Sequence, residues 1–321
     1  MRVGIIGAGS IASTHLKGYK AHAAQVTAVC DLAETPVVRE VVNSGGRWYR
    51  GYRDLLQSQE LDAVSVCTTP DVHSEICITA MESGANVLCE KPFANTVLEA
   101  EQMVAVAERT GRLLMAGFCY RFHPPVARAK EWIQAGEIGR VLMFRQRFGF
   151  CFDGRGQWQM DRRAGGGVIN ESMVHSFDLF HYLVGPSKSA IGVWTHLGQG
   201  GDGEDMAIVC MESESGAIGV TEGSWSTPFS VNNLEVYGST GMIVVDFGVN
   251  FNRHTATLCQ QQGTVEEAYP ETGEPPIRFL REIGHFLDCV RAGVKSDIVD
   301  TSDGLKSVQV VERLRQEARR S

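Results

Sequence analysis

Three groups of residues in this chain have the types and spacing that chemistry uses. The first is Glu90-Lys91-Pro92, directly after Val87-Leu88-Cys89. A brief apolar run reads as a buried parallel strand. Pro92 cannot continue a ladder, and it biases Lys91 towards extended backbone. A glutamate and a lysine therefore stand at the carboxyl end of a buried strand, the edge where open α/β sheets bind ligands. The second group follows the triplet Gly165-Gly166-Gly167. Read as one helix running to about Val184, this stretch sets Glu171, His175 and Asp178 at i, i+4 and i+7, on a single face. Two carboxylates and an imidazole together suit proton transfer. A solvated polar face would carry the same residues, so this group does not decide by itself. The third group is Gly7-Ala8-Gly9-Ser10-Ile11-Ala12, between the strand Val3–Ile6 and a helical stretch to about Lys20.

That third pattern, G-x-G-x-x-A between a strand and a helix, is the context a dinucleotide fingerprint needs. Gly7 allows the tight turn, Gly9 lets backbone approach a pyrophosphate, and small Ala12 lets helix and strand pack closely. The N–H groups at the helix start, on Ser10, Ile11 and Ala12, face phosphate. A second strand, Val26–Cys30, ends in Asp31, 22 positions beyond Gly9 (31 − 9). The spacing is near the twenty or so expected for a carboxylate that bonds the adenosine ribose. Leu32 and Ala33 follow, with no adjacent arginine to receive a 2′-phosphate, which favours NAD over NADP.

These groups need elements to hold them. Leu61–Cys67 is a further strand, ending in Thr68-Thr69-Pro70, and Asp71 is placed to cap a helix to Ser83. A helix from about Thr96 to Thr110 closes at Gly111, and Leu113–Gly117 is one more strand. Repeated β-α-β units mean a doubly wound parallel sheet, the Rossmann arrangement, over residues 1–120. Residues 121–321 read differently. After a helix over Pro125–Ala135, strands are expected at Val141–Phe150, Ala190–Leu197, Met206–Glu212, Ala217–Trp225, Asn233–Tyr237 and Met242–Phe247. Helices over Ile277–Ala292 and Thr301–Ala318 close the chain. Hairpin spacing predicts a large, mostly antiparallel open sheet in an α+β domain.

Composition narrows the classes. A chain of 321 residues, 43% hydrophobic and 21% charged, is long enough for two cored domains. The net charge of −8, with no basic run, disfavours nucleic acid and anionic membrane as partners. Nine cysteines lie singly, several inside apolar runs, as in a reducing cytoplasm. The chain starts directly on a strand without a leader-like region, and no stretch reads as a membrane span. No metal is expected: His175 and His181 have the wrong spacing for a helical ligand pair, and no cysteine cluster exists.

Taken in order, these motifs resemble the glucose–fructose oxidoreductase / inositol dehydrogenase / rhizopine-catabolism (Gfo/Idh/MocA) family along nearly the whole chain. The carrying residues are Gly7–Ala12 with His15, Asp31, Thr68-Thr69-Pro70 with His73, Glu90-Lys91-Pro92 and Tyr120-Arg121-Phe122. The glycine triplet with His175 and Asp178, Tyr237–Gly241, Phe286-Leu287-Asp288 and Asp303-Gly304-Leu305 add to them. The resemblance implies an N-terminal Rossmann domain, a C-terminal domain on a large open sheet, and homodimers or homotetramers built through that sheet. It implies cofactor contacts from Thr68, Thr69, His73, Glu90 and Lys91, and substrate contacts from Lys91, Arg121, Trp158, Glu171 and His175. Lys91 and His175, with Glu171, would be the catalytic set. Two departures bear on the substrate: Glu171 stands where the family usually has aspartate, and Trp158-Gln159 where it often has Trp-Arg. The expected activity is NAD-dependent hydride exchange with a secondary alcohol or ketone of a small sugar, sugar derivative or cyclitol. A glycoside-cleaving relative and a non-catalytic nucleotide-binding sensor are the rival readings.

Overall fold

The computed structural model describes residues 1–154, 157–198, 200–249, 253–271 and 273–318. The chain divides into two compact units: Met1–Cys119 with Thr272–Leu305, and Tyr120–Glu271 with Lys306–Ser321. The segment 272–305, which sequence assigns to the second domain, clusters with the first unit. The reason is helix-to-helix packing, described below.

The first unit alternates strictly: β1 (Arg2–Ile6), α1 (Ser10–Ala21), β2 (Gln25–Cys30), α2 (Pro36–Asn43), β3 (Arg47–Tyr49), α3 (Tyr52–Ser58), β4 (Ala63–Val66), α4 (His73–Glu82), β5 (Asn86–Cys89), α5 (Val97–Thr110) and β6 (Leu114–Ala116). All six strands are parallel, in the order β3-β2-β1-β4-β5-β6. The order reverses between β1 and β4, which is where such sheets open a ligand crevice. β4 is buried at every position, as a central parallel strand requires. α5 starts on a capping box, Thr96 with Glu99, and ends at Gly111 with φ 64°. A 3-10 turn over Pro70–Val72 precedes α4, whose cap is Val72, so Asp71 does not cap it as the sequence predicts.

The second unit is built from α6 (Pro124–Gln134), β7 (Val141–Cys151), α7 (Val168–Glu171), α8 (Val174–Leu183), β8 (Ser187–Thr195), β9 (Met206–Ser213), β10 (Ile218–Ser224), β11 (Ser226–Gly238), β12 (Gly241–Val249), β13 (Thr255–Gln260) and β14 (Gly263–Ala268). Its eight strands run β14-β13-β12-β11-β7-β10-β9-β8, antiparallel except for the β7/β10 pair. The hairpin β13–β14 has no counterpart in the sequence reading, because its outer strand is polar and exposed. One sheet face carries the core. Gly219 and Gly223 of β10 lie on that face, and a Cβ at either would sit 2.6 Å from Phe180 or 2.4 Å from Met173. Two strand glycines thus let the helical layer press directly onto the sheet.

α9 (Ile277–Ala292) packs on α1 within the first unit. A Cβ on Gly18 would stand 2.3 Å from Ile283 Cδ1, and the His22 ring nitrogen Nε2 lies 2.8 Å from the Leu280 carbonyl. α10 (Asp303–Ala318) begins in the first unit and ends in the second. No helix among the described residues is long and apolar enough to cross a membrane.

Candidate active site

In the first unit the sequence motifs converge on the carboxyl edge of the sheet. Gly7 ends β1 with φ 86°, and a Cβ there would lie 2.6 Å from the Cys67 carbonyl and the Thr68 nitrogen. Only glycine fits both demands. Gly9 caps α1 without a side chain, and nothing lies within 4 Å of where its Cβ would be. The open space above Gly9 and the uncapped N–H groups of Ser10, Ile11 and Ala12 form an anion cradle. Asp31 accepts from the Ala8 N–H at 2.7 Å and the Ala33 N–H at 2.9 Å, so it also pins the turn. Each carboxylate oxygen keeps a lone pair for a ribose hydroxyl. Thr68 Oγ1 is buried with no hydrogen-bond partner among the described residues. These features fit a dinucleotide. Arg50, distant in sequence, reaches over to donate to the Leu32 carbonyl at 3.3 Å, a neighbour of Asp31 that adjacency in sequence did not show.

Lys91 follows a buried polar chain. The Glu90 carboxylate accepts from the Lys91 N–H at 3.1 Å and from His15 Nε2 at 2.9 Å. The other His15 nitrogen is 2.9 Å from Ser65 Oγ, which is 2.5 Å from the Tyr19 hydroxyl. Desolvation opposes charge on His15, but Cys67 and the Glu90 carboxylate outweigh it and hold the ring well above the ordinary histidine value. The Cys67 thiol is itself pushed up by burial, so the negative charge that matters is that of Glu90. His73, expected to touch the cofactor, lies fully buried between the Pro92 carbonyl at 2.8 Å and the Thr68 carbonyl at 3.0 Å. Burial lowers its pKa, so a neutral ring donates to one carbonyl at a time. Its position ties the end of β4 to the turn after Lys91, and Thr69 opens the intervening 3-10 turn.

In the second unit the single helix expected from the glycine triplet to Val184 is broken. α7 stops at Glu171 and α8 starts at Val174, so Glu171, His175 and Asp178 do not share one continuous helical face. Met173, which lies in the break, packs against Gly223. His175 is 6% exposed and its ring meets Tyr120 edge-on at 4.9 Å, with Phe148 at 6.3 Å. Glu171 is half-buried and accepts from the Ser172 hydroxyl at 2.5 Å; that hydroxyl accepts from Trp225 Nε1 at 2.8 Å. Asp178 is buried and takes no open position for proton transfer. It holds the Arg121 guanidinium, Nη2 at 2.6 Å and Nε at 3.0 and 3.1 Å, and that guanidinium also lies over the Tyr182 ring. Arg121, 4% exposed, is therefore engaged as an ion-pair anchor beside its expected substrate role.

The triplet itself is a packing device. A Cβ on Gly166 would lie 2.2 Å from the Gln159 carbonyl, and Gly167, at φ 98°, stands against the Glu204 carboxylate. Trp158 opens the 3-10 turn that rests on Gly166, and Glu204 caps the start of α7 through the Ile169 N–H at 3.2 Å. Ser172, Glu204 and Trp225 escaped the sequence reading, and Tyr120 entered it only as part of a motif, with no role of its own. Only the glycine pair Gly219/Gly223 signalled that something lies flat on that strand.

Both halves of the chain have counterparts among known proteins. Residues 1–118 match the family model described as the oxidoreductase family with an NAD-binding Rossmann fold, and residues 126–244 match the GFO/IDH/MocA C-terminal domain. The chain is 28% identical over 306 residues to the myo-inositol 2-dehydrogenase of Thermotoga maritima, covering 91% of this chain and 89% of that protein. It is 28% identical over 275 residues to the scyllo-inositol 2-dehydrogenase (NAD(+)) of Bacillus subtilis, covering 82% and 77%. A solved levoglucosan dehydrogenase in complex with NADH and levoglucosan superposes with a TM-score of 0.89 at 21% identity, covering 100% and 97%.

Proposed function

Because the chain belongs to the GFO/IDH/MocA oxidoreductase family and carries its NAD-binding Rossmann fold, we propose that it oxidises one secondary alcohol of a cyclitol or small sugar, or reduces the matching ketone. The observation that carries this reading is that the nucleotide cradle and Lys91 lie at the carboxyl edge of the same sheet. There Glu90 and buried His15 fix the backbone that presents the lysine. Gly7, Gly9, Ser10, Ile11, Ala12, Asp31, Thr68 and Thr69 would hold NAD, with Glu90 and His73 shaping the edge around Lys91. When bound, NAD supplies the hydride acceptor. His175 takes the hydroxyl proton as general base, and Lys91 stabilises the developing alkoxide or relays that proton. Glu171, oriented by Ser172, bonds a neighbouring hydroxyl or steadies His175. Trp158 contributes to the substrate wall, and Arg121 keeps α8 in place through Asp178.

The test is a panel of inositols, aldoses, sugar acids and anhydrosugars with NAD+ and NADP+, read by absorbance of the reduced nicotinamide. Turnover of a polyol, with NAD+ preferred, is the expected result. Inactivity across the panel together with NADH binding would move the reading to a nucleotide sensor. Aglycone release without net NADH would move it to glycoside cleavage.

The reading includes assembly in the cytoplasm as a homodimer or homotetramer. Ile191, Val193, Ile208 and Ile218 lie on the second-unit sheet face away from Gly219 and Gly223, each more than half exposed. A contiguous apolar face of this kind marks an interface. Sedimentation velocity should show an oligomer, and Val193→Glu with Ile208→Glu should dissociate it; a concentration-independent wild-type monomer excludes this.

A further inference from the structure

Away from the residues assigned above, the second unit gathers His123, His254 and Glu271 so that one donor atom from each lies within 4.8 Å of the others. His123 is the N-terminal cap of α6, held there by Pro124 and Pro125. His254 directly precedes β13, and Glu271 follows β14. The two histidines are 1% and 8% exposed. His123 Nε2 stands 3.2 Å and His254 Nδ1 3.9 Å from the same oxygen, Glu271 Oε2. The open ends of the hairpin are joined by the Tyr269 N–H donating to the His254 carbonyl at 2.7 Å. Phe247 packs on both rings, at 5.0 and 6.0 Å, and supplies an apolar wall.

We propose that this cluster is a binding site for a zinc-class divalent ion, with His123, His254 and Glu271 as ligands and water in the fourth position. The two imidazoles lie 5.0 Å apart with their planes only 38° from parallel. A cation at the centre of the three donors satisfies all of them at once. Ligand atoms about 2.0–2.1 Å from a tetrahedral zinc lie roughly 3.3 Å apart. The separations of 3.2 and 3.9 Å bracket that value, and all three donors lie within 4.8 Å of one another. Two imidazoles and one carboxylate suit zinc better than magnesium or calcium, which prefer all-oxygen sets. The ligands come from positions 123, 254 and 271, too far apart for any spacing rule, which is why the sequence predicts no metal. The ion would tie the start of α6 to the open end of the edge hairpin β13–β14. Tyr120, whose ring lies 6.4 Å from His123 and 4.9 Å from His175, links this corner to the base.

The test uses the full, untagged chain stripped with a chelator and dialysed, then titrated with zinc against a chromophoric competitor. One zinc per chain is expected, with a higher melting temperature that chelator reverses. Cobalt(II) should give the intense visible bands of a four-coordinate site. His123→Gln with His254→Gln should weaken binding at least a hundredfold. Glu271→Gln, at a half-buried position, gives a milder second variant, and NADH binding checks that each variant folds. Wild-type zinc binding well below one per chain overturns the proposal whatever the variants do. Equal binding by the double histidine variant overturns it too.

Discussion

Lys91 and His175 are seated by opposite means. Lys91 follows a chain of hydrogen bonds, Glu90 to His15 to Ser65 to Tyr19, in which every link is short and buried. His175 rests on aromatic rings, Tyr120 and Phe148, and its helix is held by the Arg121–Asp178 pair and by two glycines in the strand beneath. The first seat fixes the direction of a backbone; the second fixes the place of a ring. A lysine on a flexible stem needs only its root defined, because the ammonium finds its own approach. For an imidazole to accept a proton, as proposed for His175, its plane must be defined, and edge-on ring contacts do that.

The comparison can be broken in four ways. The largest effect falls on turnover. Lys91→Ala and His175→Ala should each lower kcat about a hundredfold to ten-thousandfold, about 3–5 kcal/mol of transition-state stabilisation. NADH affinity should hold in both, since Gly7, Gly9 and Asp31 are untouched. The double variant should lose less than the sum if the two residues serve one alcohol. Near-normal turnover in His175→Ala would make Glu171 the base. Next is Arg121→Met, which strands the buried Asp178 carboxylate. It should cost about 3–5 kcal/mol in urea unfolding, and a loss under about 1 kcal/mol would mean the pair does not anchor α8.

The third way is a pH dependence in the first seat. His15 is held above its ordinary value, so its contribution is complete below the unfolded value of about 6.5 and is lost as pH rises through the folded one. Relative to His15→Gln, the wild type should lead by about 1.5–3 kcal/mol near pH 6, and the gap should narrow towards alkaline pH. A gap that widens with pH contradicts the pairing with Glu90. The smallest effect is Ser172→Ala, which breaks the link from Trp225 to Glu171: about 1 kcal/mol of stability and a severalfold change in kcat. If it costs as much activity as His175→Ala, Glu171 carries the proton.

The contrast also explains what sequence can reveal. Gly7–Ala12, Asp31 and Glu90-Lys91-Pro92 each directly follow the end of a parallel strand, so local pattern and position in the fold coincide. The groups that hold Glu90, His15 and behind it Ser65, come from α1 and β4, yet locating Lys91 needed neither. The second seat has no such coincidence. Trp225 meets Ser172, and Tyr120 meets His175, only once a long, mixed-direction sheet has formed, and the helix break after Glu171 falls where Met173 packs on Gly223. Helical periodicity placed His175 on a helix correctly but extended that helix through a break it could not detect. The Asp178–Arg121 pair was invisible for the same reason, being 57 positions apart.

The packing of α9 on α1 has a consequence in time. Gly18 leaves a gap that Ile283 fills, 265 positions later (283 − 18). A ribosome adding about 5–20 residues per second needs roughly a quarter of a minute to a minute to cover that distance. Through that interval the nascent Rossmann sheet has its nucleotide turn but lacks a helix of its outer wall. Completion of the first unit therefore waits on the synthesis of α9, and the chain has a window in which the exposed flank of α1 is open to chaperones, to NAD, or to a neighbouring nascent copy.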